Sequence, residues 1–328
     1  YVYVNGRRYE KNAEVLTFST NDKAQYSSAD RLLPYGTYTI RETAAPTGYL
    51  NSTVRHGVME TTFSIRNDGE RVNVTGIKDP VMRGKITLKK NNADVHNDQK
   101  ANIASGNASF EGAEFAIINR SANAVYVDVN NDGNYSDNER FAPGATIETL
   151  RTDKNGYAST PDAHLPYGTY DVKETKAPEG YLVDNNFRGS VTIKTGLTVR
   201  GENQNVDLTW SAADPNRTFY DAIKRGQIKI KKNNADVHSD GDAVRAQGDS
   251  SLKGAEYTIY NKSKSYVWVD TNENGRFDSG ERYEPNQAVK TIVTDGDGYA
   301  QTPEKYLPYG SYTIKETKAP EGYLLDEI

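Results

Sequence analysis

The segment GKITLKKNNADVHND, beginning at Gly84, returns at Gly226 as GQIKIKKNNADVHSD, 142 positions later. YVDVNNDGNYSDNER from Tyr126 returns as WVDTNENGRFDSGER from Trp268, and LPYGTYDVKETKAPEGYL from Leu165 as LPYGSYTIKETKAPEGYL from Leu307, at the same offset. A chain that repeats at a fixed interval folds as a row of like modules, each closing its own core. One unit is complete, 84–225. Residues 1–83 match only the later part of a unit, including LPYGTYTIRETAAPTGYL, and residues 226–328 only the early part. The chain therefore reads as a window on a longer array.

Within a unit, short alternating runs stand between Gly, Asn, Asp and Pro clusters, and TDKNGY and TDGDGY read as hairpin-type turns. Strands without intervening helices imply an all-β chain of tandem β-sandwich domains. The 23 tyrosines agree with β structure. Residues 91–109 and 233–251 form a polar insertion between strands, with room for a short helix. The net charge of -5 leaves no basic footprint for nucleic acid or an acidic membrane. No stretch has the apolar length of a membrane span, and no signal peptide opens the chain. With no cysteine, disulfides and thiolate metal sites are excluded. If these small domains work outside a cell, something other than a disulfide must staple them.

Ionisable residues fall on inward faces. Strand alternation puts Ile86, Leu88 and Lys90 on one face, and Ile228, Ile230 and Lys232 likewise. Tyr170, Val172 and Glu174 share a face, as do Tyr38, Ile40, Glu42 and Tyr312, Ile314, Glu316. Near the unit ends, Phe219 and Asp221 are in phase, and so are Ile77 and Asp79. Burial favours the neutral amine of a lysine and the neutral acid of a carboxyl, the pairing that amide formation needs, while a nearby glutamate can move the proton. A Lys–Asp isopeptide bond would result. From phase alone, a buried salt bridge with a spare carboxylate is an equal reading.

The LPYGTYxxxETxAPxGY pattern resembles the E-box of the Cna protein B-type, prealbumin-like, pilin-type domains of Gram-positive surface proteins. The GxIxLxK opening, the GAEF and GAEY strands at Gly112 and Gly254, and the aspartate near the unit end extend the likeness over essentially the whole chain. The resemblance implies Ig-like sandwiches with an intramolecular bond between a first-strand lysine and a last-strand aspartate, assisted by the E-box glutamate. Carried across, these are Lys90, Asp221 and Glu174. The flanking units hold half-sites: Glu42 and Asp79 without a lysine strand, Lys232 and Glu316 without a terminal aspartate. One bond is expected in these 328 residues and three in the parent protein.

DVNNDGNYSDNE fits the twelve-residue acidic calcium loop. Asp128, Asn130 and Asp132 stand at positions 1, 3 and 5, Gly133 at 6, Asn134 at 7 for its carbonyl, Ser136 at 9 and Glu139 at 12. DTNENGRFDSGE repeats the frame with Asp270, Asn272, Asn274, Gly275, Arg276 (for its carbonyl), Asp278 and Glu281, with fewer charged ligands and hence a weaker expected site. Oxygen donors alternating about one glycine turn suit Ca2+, although an Asx-rich turn uses the same residues. The second stretch also resembles the calcium-binding B-type repeats of serine-aspartate-repeat adhesins. YVYVNGRRYEKNAE in the first unit lacks the acids, so no ion is expected there.

His96 and His238 lack converging ligands and read as surface residues, and the Asn51 sequon is of a kind frequent by chance. No Ser-His-Asp spacing or phosphate loop appears. The leading reading is a structural stalk of an extracellular adhesin or pilus-like protein, cell wall-anchored in the parent. Its partners are adjacent repeats of the same polypeptide. A second reading has one domain gripping a host protein or glycan through an exposed groove. A glycoside-cleaving enzyme using Glu174 is disfavoured, because the glutamate recurs in every unit beside a lysine or aspartate. No sortase anchor or pilin lysine motif is recognised.

Overall fold

The computed structural model describes residues 1–50, 60–95, 102–183, 189–194, 204–208, 219–236 and 242–325. Asn51, His96 and His238 lie outside them. The chain divides into two compact units, Tyr1–Arg83 with Lys194–Gln204, and Gly84–Ile193 with Asn205–Ile328. Among the described residues, helical turns are short and 3-10, such as Ala93–Val95 and Asp242–Val244 in the polar insertions.

In the first unit, Val2–Val4 pairs antiparallel with Arg7–Tyr9 across a turn at Asn5 and Gly6, both of positive φ. Such a two-residue turn matches strand twist and replaces the acidic loop found in the later repeats. Gly36–Arg41 pairs antiparallel with Glu60–Ile65.

The repeat at 84–225 is built from two facing sheets. In one, the long Arg83–Asn92 strand is central: Tyr157–Ser159 runs antiparallel to it and Phe219–Asp221 runs parallel. Leu165–Pro166 and Gln204–Leu208 also pair with it. The other sheet has the order Gly189–Ile193, Gly168–Lys176, Glu114–Asn119, Thr146–Arg151, with every pairing antiparallel. Strict alternation drives this arrangement. Along 83–92 the buried positions include Ile86, Leu88 and Lys90, and along 168–176 they are Gly168, Tyr170, Val172 and Glu174. The inward side chains meet Phe115, Ile117, Leu150, Leu165 and Phe219 in one apolar core.

The LPYG motif makes a corner. The Tyr170 hydroxyl donates to the Pro166 carbonyl, Tyr312 to Pro308 and Tyr38 to Pro34, so each tyrosine pins the turn that launches its strand. TDKNGY departs from the expected hairpin. The strands flanking it, Thr146–Arg151 and Tyr157–Ser159, pair in opposite sheets. The turn is tight, with Asp153 Oδ1 accepting the amides of Asn155 and Tyr157. It is a corner between sheets because Thr152 is pulled into the core, its hydroxyl bonded to Phe110 and Ala113 backbone groups. Local sequence specifies the turn, but not which sheet each arm joins.

The repeat at 226–328 reuses these parts. Glu256–Asn261 lies between Ala288–Val293 and Tyr312–Lys318, and Lys229–Lys231 pairs with Tyr299–Gln301. Its core gathers Ile259, Val267, Val269, Val289, Ile292 and Leu307.

Leu88→Ala, at a fully buried position, is expected to remove about 2–5 kcal/mol from the sandwich it sits in. Leu182→Ala, half exposed, should cost no more than about 0.5 kcal/mol. Thermal melts of the two variants check the contrast.

Candidate functional site

The first and last strands of the repeat at 84–225 lie side by side and parallel, with Lys90 opposite Phe219. Two residues on, Asp221 shares that inward face, which sets it diagonally across from Lys90. From the facing sheet, Glu174 projects from a strand that bulges between Glu174 and Lys176. Lys90 and Asp221 are 0% exposed and Glu174 is 4% exposed. Lys90 Nζ touches Asp221 Oδ1 and stands 3.1 Å from each Glu174 carboxylate oxygen. Three groups from distant parts of the sequence therefore meet between the sheets.

Aromatic rings wall the cluster. Phe115, opposite Glu174 in the sheet, packs edge-on against Phe219 with centroids 4.6 Å apart, and Lys90 Nζ lies 5.9 Å over the Phe115 ring. The spacing argument missed Phe115, although it is the aromatic residue of the GAEF strand. Burial pushes the Glu174 carboxyl up to about 8. Lys90 opposes that shift and the neighbouring Asp221 charge reinforces it. At neutral pH Glu174 is thus mainly a neutral acid able to donate a hydrogen bond.

The flanking units hold fragments of the same arrangement. Lys232 Nζ is 2.9 Å from both Glu316 oxygens. Here Tyr257 replaces Phe115 opposite the glutamate, and its hydroxyl donates to Glu316. Burial, then the Glu316 charge, push the Tyr257 hydroxyl up to about 12. In the first unit, Glu42 and Asp79 share a hydrogen bond, and burial followed by Asp79 raises the Glu42 carboxyl above its ordinary range.

The acidic loops are ordered by their own side chains. Asp128 accepts the amides of Asp132 and Gly133, Asn130 accepts that of Asp132, and Asp132 accepts that of Asn134. Gly133 has φ +80 at the sharp turn, which glycine adopts without penalty. Glu139, 2% exposed, takes Val129 N on one oxygen and both Ser136 N and Oγ on the other. In the second loop Asp270 binds Asn274 N and Gly275 N, Asn272 and Asn274 accept amides, and Asp278 accepts from both asparagine side chains. Burial raises the Glu281 carboxyl. Amide hydrogen bonds from Asp278, Asn272 and Thr271 outweigh it and hold the group below the usual carboxylate range.

Among the described residues, no three His, Asp or Glu side chains converge as a metal cage. The donor chemistry still fits a hard cation: carboxylate and amide oxygens alternate around one glycine, and each accepting oxygen keeps a second lone pair. Asp128, Asn130, Asp132 and Glu139, with the Asn134 carbonyl and Ser136, would hold Ca2+. Asp270, Asn272, Asn274, Asp278 and Glu281, with the Arg276 carbonyl, would do so in the second loop.

Comparison with known proteins identifies the domain. Residues 3–80, 84–205 and 243–328 match the SpaA prealbumin-like fold domain. Serine-aspartate repeat-containing protein F of Staphylococcus epidermidis is 28% identical over 96% of this chain, and protein D of the same name series from Staphylococcus aureus (strain Newman) is 26% identical over 96%. The chain spans only 15% and 20% of the length of these relatives. Among solved structures, the Bacillus anthracis TIE protein is 23% identical with a TM-score of 0.49, covering 94% of this chain and 40% of that one. A streptococcal ancillary pilin is 21% identical with a TM-score of 0.29, covering 90% and 70%. With most of its length matched by that domain, the chain belongs to the SpaA prealbumin-like fold family.

Proposed function

We propose that this chain is a length of structural stalk from a Gram-positive surface adhesin or pilus-like protein, exposed outside the cell, whose repeat at 84–225 staples itself with a Lys90–Asp221 isopeptide bond. One observation carries the reading: an amine and a carboxyl from adjacent parallel strands touch in a fully buried site, with a largely neutral Glu174 beside both. The surface setting is supported by the relatives, which are repeat-containing proteins of Gram-positive bacteria.

The chemistry is a single condensation. Glu174, as a neutral acid, hydrogen-bonds the Asp221 carboxyl and makes its carbon more electrophilic. Lys90 gives up a proton and its Nζ attacks Asp221 Cγ. The tetrahedral adduct then loses one oxygen as water, with Glu174 relaying the proton from amine to leaving oxygen. The ammonium and carboxylate become a neutral amide plus one water, so no co-reactant is required.

Cross-linking Lys90 to Asp221 closes a loop of most of the repeat. The chain-entropy treatment of cross-links assigns such a loop about 5 kcal/mol, comparable with the whole stability of a small domain.

The intact chain is expected to weigh one water less than its sequence mass. Lys90→Ala, Asp221→Ala and Glu174→Ala should each restore the full mass, and an unmodified mass in the native chain overturns the reading. Closure should also depend on pH. Glu174 has its folded pKa raised to about 8, so the stabilisation of its neutral form is complete at low pH and lost as pH rises through that value. In newly synthesised chain that has not yet folded, the rate of water loss on folding into buffers of graded pH, followed by mass spectrometry, should fall over the same window.

The acidic loops are proposed calcium sites, on the donor chemistry described above. Added calcium should raise the melting temperature by mass action. Glu139→Gln should remove the tighter phase of that response and leave the weaker one. A chelator-treated chain whose melt ignores calcium contradicts the assignment.

A further inference from the structure

Beyond the end of its strand at Asn92, the polar insertion of the repeat at 84–225 makes specific contacts with the repeat at 226–328. We infer that this insertion, together with Arg225, is a docking joint that holds the adjoining repeat at a fixed angle without needing a bound cation.

The joint has two parts. The first is a backbone hook. Gly106 donates its amide to Tyr266 O (2.8 Å) and accepts from Ser265 N (3.1 Å). Next to it, Asn107 Oδ1 accepts Lys264 N (2.9 Å) and its Nδ2 donates to Ser311 Oγ (2.8 Å). Tyr309 closes the far side by donating its hydroxyl to Glu179 Oε1 (2.6 Å). Gly106 has φ +63, and a Cβ there would fall 2.2 Å from the Tyr309 carbonyl oxygen. Only glycine satisfies both the backbone conformation and the close approach.

The second part is a pin. Arg225, whose strand Arg225–Gly226 pairs with Leu307–Pro308 of the later repeat, reaches across the junction to donate to Asp94 Oδ2 (2.7 Å), while its guanidinium is held within the later repeat by Trp268 O (3.1 Å) and Tyr306 O (3.1 Å) and lies 4.6 Å over the Phe277 ring. Its planar fork reaches all of these at once, which a lysine could not do. Tyr220, Tyr266 and Trp268 form a buried cluster beside it, with Ala93 packed against them. An inter-repeat contact built from an aromatic cluster and an enclosed arginine has the make-up of an energetic hot spot rather than a loose linker.

The hook is a property of the repeat itself. Its counterpart in the later repeat, Gly248, holds φ +58, but a Cβ built there meets nothing within 4 Å. The same left-handed glycine therefore forms without a neighbour to receive it. A preformed hook loses little conformational freedom on docking.

The absence of cysteine makes the test direct. Spin labels at exposed Lys173→Cys and Lys315→Cys report the distance between the two repeats by pulsed electron spin resonance. One narrow distance peak is expected, unchanged by chelator. Gly106→Val and Arg225→Ala should each broaden it at least about twofold. Because Arg225→Ala also strips Asp94 of its partner, the double variant Asn107→Ala, Tyr309→Phe removes only inter-repeat hydrogen bonds. It should broaden the peak while leaving the melting temperature unchanged. A broad distribution in the parent chain, a peak that stays narrow in all variants, or one that broadens with chelator would overturn the inference.

Discussion

Enclosing an ammonium and two carboxyl groups between phenyl rings is the costliest act in this fold, and the repeat at 84–225 is arranged around it. Each ion taken from water costs several kcal/mol, which mutual attraction does not reliably repay. Two responses offset that cost. Lys90 sits against both carboxyl groups, and Glu174 moves toward its neutral form. Amide formation would be the complete response, since it leaves no charge on either partner and gives Glu174 a neutral amide to hydrogen-bond. The surroundings that make the ion pair expensive are the ones that would drive its conversion.

Topology gives such a bond mechanical meaning. Because the first and last strands are parallel neighbours, the chain enters the first at one end of the sheet and leaves the last at the other. Tension on the termini loads the ladder between them in shear. A covalent link between those two strands would carry the load past the rest of the sandwich, and the proposed inter-repeat joint would serve the same use. In the flanking repeats Lys232 lies against Glu316 and Glu42 against Asp79, so the pairwise apposition recurs. It arises even where the third group has no counterpart in the chain.

Much of this architecture was legible in the sequence. The 142-residue repeat announced like modules, and period-two alternation placed Lys90, Glu174 and Asp221 inward, because a strand gives its side chains only two directions. The LPYG corners and acidic loops were legible for a similar reason: each is a local motif whose hydrogen bonds close within a few residues. What escaped were features requiring knowledge of who lies opposite. Phe115 reads as one more core aromatic until the register sets it across from Glu174. TDKNGY reads as a hairpin until Thr152 is seen drawn inward and its two arms join different sheets.

The insertion is the clearest case of the division. By itself the sequence determined that a polar, glycine-bearing insertion follows the first strand and that two modules share it, although the structure carries that strand on to Asn92, two residues into the expected insertion at 91–109. Only the tertiary structure decided that Gly106 and Asn107 meet Tyr266, Lys264 and Ser311, and that Arg225 bridges Asp94 to Trp268 and Phe277. Alternation and turn chemistry are enforced by neighbours along the chain and so are written locally. Contacts between groups far apart in the chain depend on how finished domains abut, and no local pattern encodes that.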